Sequence, residues 1–390
     1  MRKLVPGYGF CERSEILTGA GAATTANFAA YTYAPALSPF RRLSHIQPFL
    51  SGLDSLANLG INALPNRQKA FGDKILGRAR KELQRLYRRF APCYDWNRIP
   101  LQFFPLFALT EDATDHSQSQ AFVVPSVYDE LQAKGGSWFH GFQDLASDLK
   151  DPYDISIQKL CESFVEPHQF YTFALGHLDT HCHMHGTGRD VRRPVLMQID
   201  DLARKLHNTF INANPDAYVL LFGDHGMLDV TRTFDAEKSI KQFTRSKGWK
   251  IPRDLVYFLD STMVRFWGKK ATECLALLSR PEWTSHGRLV DDSLANEIGI
   301  TKAPYNYGEV IWWAHDGVCV FPDFFRRVRA PKGMHGYDVR LDGHKGCAFL
   351  SGVDIIPQVR EEGHLIDIAP TVETLLELDI PNNITGRSWI

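Results

Sequence analysis

The sequence predicts an α/β protein with a mostly parallel central sheet and helices on both faces. Two short apolar runs, residues 170–175 and 218–222, have the composition of buried strands, and each leads directly into a segment rich in Asp and His. Strands of a parallel sheet covered on both faces read as continuous apolar runs. An amphipathic segment at residues 194–212 lies between them and has the length of a helix that crosses back over such a sheet.

Length and composition fit a folded protein without a strong overall field. The chain has 390 residues, enough for one large α/β domain with insertions. Its hydrophobic content of 44% and charged content of 23% are ordinary. The net charge of −1 makes nucleic acid or an anionic membrane an unexpected partner. No apolar run approaches the roughly 20 residues that span a bilayer.

The cysteines predict a reducing compartment. Seven cysteines are scattered along the chain, without a Cys-x-x-Cys pair. An odd, scattered set is typical of free thiols and not of a disulfide framework. The basic N-terminus has no apolar segment after it, so no signal peptide is expected. We therefore expect a cytoplasmic protein.

The first segment departs from the usual pattern of an α/β domain. Residues 7–19 read as a loop and a helix that stops at Gly19, and no apolar strand precedes them. We therefore expect the usual first strand to be missing. Residues 66–90 read as an amphipathic helix with a basic side, ended by Pro92. A solvated face is the default for such charges, and binding of an anionic polymer is the alternative.

The middle of the chain alternates between helix and strand signals. Residues 126–135 begin with an N-cap serine, have helical spacing and end in glycines. A strand can begin at residue 137, and residues 155–164 read as a helix. These elements lead into the apolar run at 170–175.

The last third combines a β-rich insertion with the end of the main domain. Residues 255–267 look like a buried strand at both ends, and residues 284–330 read as β-rich. We expect residues 1–390 to form a single domain with a small cap at about 230–330. Residues 345–352 read as a strand, and Asp367 begins a closing helix.

Asp224, His225 and Gly226 directly follow the apolar run at 218–222. In open α/β sheets, ligands bind at the carboxyl ends of the strands. A carboxylate and an imidazole can bind one metal ion, and the glycine allows a tight turn beside them. For the tripeptide alone, an Asp that caps the next helix beside a merely polar His is the alternative.

A second polar segment follows the run at 170–175. It holds four histidines and Asp179 within residues 177–185. Asp179 and His183 are four residues apart, so a helical turn brings them to one face. Imidazole and carboxylate are the usual ligands of zinc and manganese. A polar loop that happens to be rich in His is the alternative, and the second strand end of the same kind argues against it.

The order of these signals resembles a known family. Asp179 and His183 come first, Asp224–His225–Gly226 second, and His335–Gly336 third. That order resembles the alkaline phosphatase superfamily, especially its nucleotide pyrophosphatase/phosphodiesterase and sulfatase-like branches. The resemblance covers most of the chain apart from its start.

The resemblance implies two divalent metal ions, zinc or alternatively manganese. Asp179, His183 and His335 would bind one ion, and Asp224 and His225 would bind the other. Two adjacent ions stabilise the attacking and leaving oxygens of a displacement at phosphorus. His344 competes with His335 for its place, and a solvent-facing His335 is the alternative.

The nucleophile departs from the family pattern. The family's opening strand ends in an Asp that completes the second metal site, and nothing before residue 7 supplies it. Either the start of the chain is missing or misplaced, or a different residue takes the place of this Asp. The nucleophile position counted back from Thr18 falls on Gly9, which leaves Cys11 as the nearest candidate, with Arg13 to activate a thiolate. The segment after Cys11 lacks the sulfatase pattern Cys-x-Pro-x-Arg. A plain buried Cys11 is the alternative.

We therefore expect a metal-dependent hydrolase of phosphate mono- or diesters. Cys11 or a bound water would attack, and Arg13 or Lys345 would offset the charge. The substrate would be a small-molecule, glycan or nucleotide phosphate ester. One alternative is a sulfatase-like hydrolase of sulfate esters. Another is a degenerate, non-catalytic member that acts as a binding or accessory protein; the missing Asp favours it, and the set of buried polar ligands opposes it.

Overall fold

The computed structural model describes residues 1–63, 66–87, 96, 98–113, 115–141, 168–300 and 307–390. The helix predicted at residues 155–164 lies outside these ranges. The described helices are α1 (Glu12–Thr18), α2 (Ala22–Thr25), α3 (Gln47–Ala63), α4 (Asn66–Tyr87), α5 (Val127–Ala133), α6 (His177–His185), α7 (Arg189–Ala213), α8 (Ala236–Ser246), α9 (Leu275–Leu278), α10 (Pro281–Thr284), α11 (Asp292–Glu297) and α12 (Ile368–Leu375). The described strands are β1 (Lys3–Val5), β2 (Tyr31–Tyr33), β3 (Phe107–Leu109), β4 (Trp138–Gly141), β5 (Phe170–Phe173), β6 (Val219–Phe222), β7 (Leu228–Asp229), β8 (Arg232–Phe234), β9 (Val256–Leu259), β10 (Met263–Trp267), β11 (Gly287–Val290), β12 (Val310–Ala314), β13 (Val318–Val320), β14 (Gly333–Met334), β15 (Ala348–Ser351) and β16 (Glu362–His364).

The chain divides into two compact units. The first unit consists of Met1–Thr25, Asp115–Val230 and Pro331–Ile390, and the second of Ala26–Thr114 and Thr231–Ala330. The segment expected as a cap thus belongs to one unit with residues 26–114. All residues predicted for the functional site belong to the first unit.

A strand does precede the first helix, contrary to the expectation from sequence. β1 pairs with β16 in parallel, and Leu4 forms an antiparallel bridge with Gly346. Leu4 is fully buried and packs with Leu365 and Ile368. With only three residues, one of them a lysine, β1 is too short to appear as an apolar run.

β6 exists as predicted, but its surroundings differ from the prediction. It pairs antiparallel with β15, and the side chain of Leu221 is 38% exposed among the described residues. The expectation of a strand buried on both faces was therefore wrong for the described part of the chain. An apolar run identifies a strand, but it does not identify the strand's partners. Parallel pairing joins β1 to β16, β4 to β5 and β8 to β13.

Helix signals at the ends of segments agree with the structure. The Ser126 side chain accepts a hydrogen bond from the backbone N–H of Asp129, whose carboxylate in turn bonds the Ser126 N–H, so α5 begins with a capping box. Val127 and Leu131 of α5 pack with Ala369 of α12, which starts directly after Asp367. The amphipathic segment predicted at 194–212 lies within α7.

The second unit is rich in antiparallel strands. Its four-stranded sheet has the order β11-β12-β10-β9, which agrees with the β-rich pattern expected for residues 284–330. Its buried Arg265 and Asp260 form an ion pair, with 2.7 Å between Nε and Oδ2. Among the described helices, none combines the length and apolar character needed to cross a membrane. The described cysteines are free thiols, namely Cys11, Cys182, Cys274, Cys319 and Cys347.

Candidate metal centre

Helix α6 carries the first two predicted ligands on one face. Asp179 Oδ1 lies 3.4 Å from His183 Nε2, as the spacing of four residues predicts. His183 Nδ1 lies 2.7 Å from the carbonyl oxygen of Gly333 and donates to it, because a carbonyl only accepts. This hydrogen bond leaves Nε2 as the ligand atom, an orientation that metal-binding histidines commonly have. The Asp179 Oδ1 atom is buried and has no hydrogen-bond partner among the described residues.

His335 follows β14 and faces the same carboxylate. Its Nε2 lies 3.8 Å from Asp179 Oδ1. The edge of the Phe10 ring packs against the His335 imidazole, with 5.6 Å between the ring centroids. A Cβ on Gly336 would lie 2.3 Å from the Phe10 ring, and the φ angle of Gly336 is +80°. A glycine is therefore needed here for Phe10 to position His335.

The loop that holds Asp224 and His225 is fixed by backbone contacts to the segment before β15. The Gly223 N–H donates to the Cys347 carbonyl over 2.9 Å, and the Gly226 N–H donates to the His344 carbonyl over 2.7 Å. A Cβ on Gly226 would lie 2.2 Å from the Gly343 carbonyl oxygen. Gly226 thus permits a close approach of two backbone segments that a larger residue would prevent.

His225 lies flat against His335. Their ring centroids are 3.9 Å apart, and the ring planes differ by 8°. His225 Nδ1 donates to the Gly226 carbonyl over 3.0 Å, so Nε2 is its ligand atom. The Asp224 carboxylate accepts the His225 backbone N–H over 3.0 Å and has a side chain that is 54% exposed.

Two groups of possible ligand atoms result from this arrangement. Asp179, His183 and His335 form one group, and Glu12, His225 and His335 form the other. Within each group the ligand atoms lie within 4.8 Å of one another. Two imidazoles with one carboxylate are a donor set that suits zinc, as in zinc enzymes that keep a position for water. The described residues therefore fit a divalent metal ion.

The structure thus gathers four of the five predicted ligands and adds Glu12, which the sequence analysis missed. Asp224 lies beside His225 but belongs to neither group of the described residues. His344, the competitor for the role of His335, is buried with its ring 5.5 Å from that of Tyr337, and it is in neither group.

Glu12 is the first residue of α1, and its partly buried carboxylate faces the histidines. Burial raises the pKa of Glu12, the charge of His225 acts against this rise, and Asp224 adds to it. A glutamate in the first turn of a helix is common for the sake of the helix dipole alone. That ordinary role explains why no sequence signal distinguishes Glu12 as a ligand.

The carboxylates around His225 give the centre an anionic environment. Burial lowers the pKa of His225, but Asp224, Glu12 and Asp179 outweigh burial and raise the pKa to about 9. A charge surplus of this kind attracts cations, and a divalent ion can replace the proton.

A second buried carboxylate lies one turn further along α1. Glu15 is 4% exposed, and its pKa is raised to about 8 by burial and by the neighbouring Glu12. The Gly7 backbone N–H bonds the Glu15 carboxylate. A Cβ on Gly7 would lie 1.8 Å from Glu15 Oε1, so the carboxylate packs directly on this glycine.

The predicted nucleophile and its cationic neighbour lie at the same helix end. Cys11 is the N-cap of α1 and is 5% exposed, and its carbonyl accepts the Ser14 hydroxyl over 2.9 Å. Burial raises the pKa of Glu12 and lowers that of His140, and the Arg13 charge opposes the first shift and adds to the second, which places Arg13 within electrostatic reach of both. Lys345 is bound elsewhere, with its Nζ 2.9 Å from Glu362 Oε2.

Comparison with known proteins agrees with this picture. Residues 102–295 match the family model described as type I phosphodiesterase / nucleotide pyrophosphatase. A sequence search of curated proteins finds no match.

Solved structures of similar fold come from mouse and human. Murine ectonucleotide pyrophosphatase/phosphodiesterase 5 matches with a TM-score of 0.63 and 13% identity over 98% of this chain and 88% of that chain. An inactive variant of the murine protein in complex with AMP matches with a TM-score of 0.64, 13% identity and the same coverage. The human protein of the same name matches with a TM-score of 0.54 and 15% identity over 71% of this chain and 74% of that chain.

Proposed function

We propose that this chain hydrolyses phosphate mono- or diesters at a centre of two divalent metal ions. Its family match and its fold, which place it with the alkaline phosphatase superfamily, support this proposal. One observation carries the proposal: two three-residue ligand groups meet at His335. We also propose that the central sheet is mostly parallel and that residues 1–390 form a single domain, as expected from the sequence.

The proposed roles follow the positions of the side chains. Asp179, His183 and His335 hold one ion, and Asp224 and His225 contribute to the other. Bound zinc or manganese supplies positive charge for the non-bridging oxygens of the phosphate. His183 and His225 are held in place by their Nδ1 hydrogen bonds to backbone carbonyls. This pre-set orientation avoids reorganisation during the reaction.

Two nucleophiles are compatible with the site. In the first route the Cys11 thiolate forms an S–P bond as the bond from phosphorus to the leaving oxygen breaks, and water then cleaves the S–P bond to regenerate the thiol. In the second route water attacks phosphorus directly. In either route Arg13 offsets negative charge that develops on the phosphate.

Metal analysis of matched variants tests the ligand roles. We expect two ions per wild-type chain and one fewer in Asp179→Asn and in Asp224→Asn. Asp190→Asn, which changes an exposed carboxylate of α7, serves as the control and should keep both ions. Absence of metal in the wild type would contradict the assignment of these residues.

A substrate screen tests the reaction. We expect hydrolysis of nucleotide phosphodiesters or simple phosphate esters that stops with a chelator and returns with zinc or manganese. Nucleotide esters come first because the murine protein of similar fold was solved with AMP. Hydrolysis of sulfate esters alone would favour the sulfatase-like alternative. Metal binding without hydrolysis of any ester would favour the accessory-protein alternative, which the burial of Cys11 supports.

The cellular location stays a prediction. The free thiols of the described cysteines support the expected cytoplasmic location. Fractionation of cells that express the tagged full-length protein would test it.

A further inference from the structure

We propose that Glu12 is a direct ligand of the second metal ion and supplies the carboxylate that the end of β1 lacks. This inference rests on the proposed two-metal function and adds a ligand to it. The observation that carries it is the group of Glu12, His225 and His335, whose ligand atoms lie within 4.8 Å of one another.

The position of Glu12 in the chain makes it the first carboxylate available after β1. β1 ends at Val5, and residues 6–11 contain no Asp or Glu. The chain then enters α1, and the first residue of that helix is Glu12. A helix end, and not a strand end, therefore brings this carboxylate to the centre.

The local charges favour a cation between Glu12 and the two imidazoles. A carboxylate removed from water is costly unless a positive charge or hydrogen bonds compensate it. The nearby rings of His225 and His335 are stacked at 3.9 Å, where two protonated imidazoles would repel each other. A divalent ion bound by Glu12 and His225, beside the ion bound by His335, would compensate the carboxylate and keep both imidazoles neutral.

The two ligand groups share His335, so the assignment of His335 decides the make-up of the second site. With Asp179 and His183, His335 completes the first site as the sequence analysis predicted. Glu12 and His225 then remain for the second site, and Asp224 Oδ1 lies 3.9 Å from His225 Nε2. The second site consequently has two carboxylates and one imidazole.

Glu15 offers a matched control on the same helix. It is one turn from Glu12 and more deeply buried, but it belongs to neither ligand group of the described residues. Glu15→Gln makes the same substitution as Glu12→Gln at a buried position of the same helix, and its amide oxygen can still accept the Gly7 N–H. The pair therefore separates direct coordination by Glu12 from a general effect of replacing a buried glutamate of α1.

The experiment measures zinc or manganese per chain by elemental analysis and the affinity of the second ion by titration. We expect two ions in the wild type and in Glu15→Gln, and one ion in Glu12→Gln. The second ion should bind Glu12→Gln more than about 100-fold more weakly, beyond the 10–100-fold loss typical of an outer-shell partner. Zinc should also raise the melting temperature of Glu12→Gln less than that of the wild type.

A folding control and a conservative variant keep the inference open to disproof. Circular dichroism and melting in excess chelator should show that Glu12→Gln folds like the wild type. If it does not fold, Glu12→Asp replaces it, and we expect two ions with the second bound more weakly. Two tightly bound ions in Glu12→Gln, or equal losses in Glu12→Gln and Glu15→Gln, would overturn the role of Glu12 while leaving metal-dependent hydrolysis by the wild type intact. A wild type without metal and without hydrolysis would overturn the proposed function as well.

Discussion

His335 joins the two ligand groups, and its position depends on a few contacts. It faces Asp179 with its Nε2, stacks on His225 and receives the edge of Phe10. Its loss therefore removes a ligand of the first site and also the ring on which His225 stacks, whereas the loss of His183 removes a ligand alone.

We expect His335→Ala and His183→Ala each to lose the ion of the first site in elemental analysis, because both imidazoles bind that ion. His344→Ala is the control because His344 competes for the same role in the sequence but lies outside both groups of the described residues. It should keep both ions, although removal of a buried ring should cost stability. Loss of metal from His344→Ala with full retention in His335→Ala would reverse the assignment.

The role of Cys11 can be decided by trapping. If the thiolate attacks phosphorus, a quenched reaction should contain phosphate linked to Cys11, detectable by peptide mass spectrometry. Cys11→Ala should then lose at least about 100-fold in kcat, because the covalent route is removed. A Cys11→Ala variant with unchanged kcat would assign the attack to water.

The sequence predicted the members of the two groups of possible ligands unevenly, for physical reasons. Asp179 and His183 were predictable because helical spacing alone brings them together. Glu12 was not, because a glutamate at a helix start needs no special explanation. Asp224 was assigned from its place directly after the apolar run and from the family resemblance, yet its side chain is largely exposed beside the ligand groups.

The elements that carry the centre are held by close backbone contacts. Gly226 lies against the carbonyl of Gly343. Gly346 lies against Gly223, and a Cβ on Gly346 would be 1.9 Å from the Gly223 carbonyl oxygen. Both contacts tie the loop after β6 to the segment before β15. The loop with Asp224 and His225 thus depends on two positions where glycine is required.

Gly226→Ala should move this loop and weaken metal binding. The added methyl group would meet backbone atoms that cannot swing away, and such overpacking typically costs about 1–3 kcal/mol. Gly21→Ala is the control, because a Cβ there has no heavy atom within 4 Å among the described residues. Denaturant unfolding and metal titration of both variants provide the test, and equal behaviour of the two would contradict the steric argument.

Among the secondary-structure elements, the helices were more predictable from the sequence than the pairing of the strands. The α5 capping box and the start of α12 lie in short local sequence patterns. The bridge of β1 to Gly346 and the pairing of β6 with β15 join residues more than a hundred positions apart. Single-sequence patterns contain no signal for such partners.

The stability of the whole molecule should depend on pH through the buried carboxyl group of Glu373, which is not among the possible metal ligands in the part of the chain that the structure describes. Glu373 of α12 is fully buried, and its carboxyl oxygens have no hydrogen-bond partner among the described residues. Burial, with a smaller effect of Glu130, raises the pKa of Glu373 from 4.5 to about 8. The folded state therefore holds a proton that the unfolded state releases above its lower pKa.

It follows that stability should fall as pH rises from about 4.5 to about 8. Glu373→Gln mimics the protonated group and should remove this part of the pH dependence, on the order of a few kcal/mol. Urea unfolding of both proteins at pH 5 and pH 8, in chelator, measures the difference. An unchanged pH dependence in the variant would contradict the buried, protonated state.

The proposed ligands Glu12, Asp179, His225 and His335 lie in four separate chain segments that stretch over most of the sequence. Bringing such distant segments together closes long loops, and that cost must be met before the ligand atoms can meet. An ion therefore gains its full set of ligands late in folding, when the first unit is nearly assembled. Zinc should consequently slow unfolding much more than it accelerates refolding. The bound metal would then stabilise the folded state without taking part in the folding nucleus.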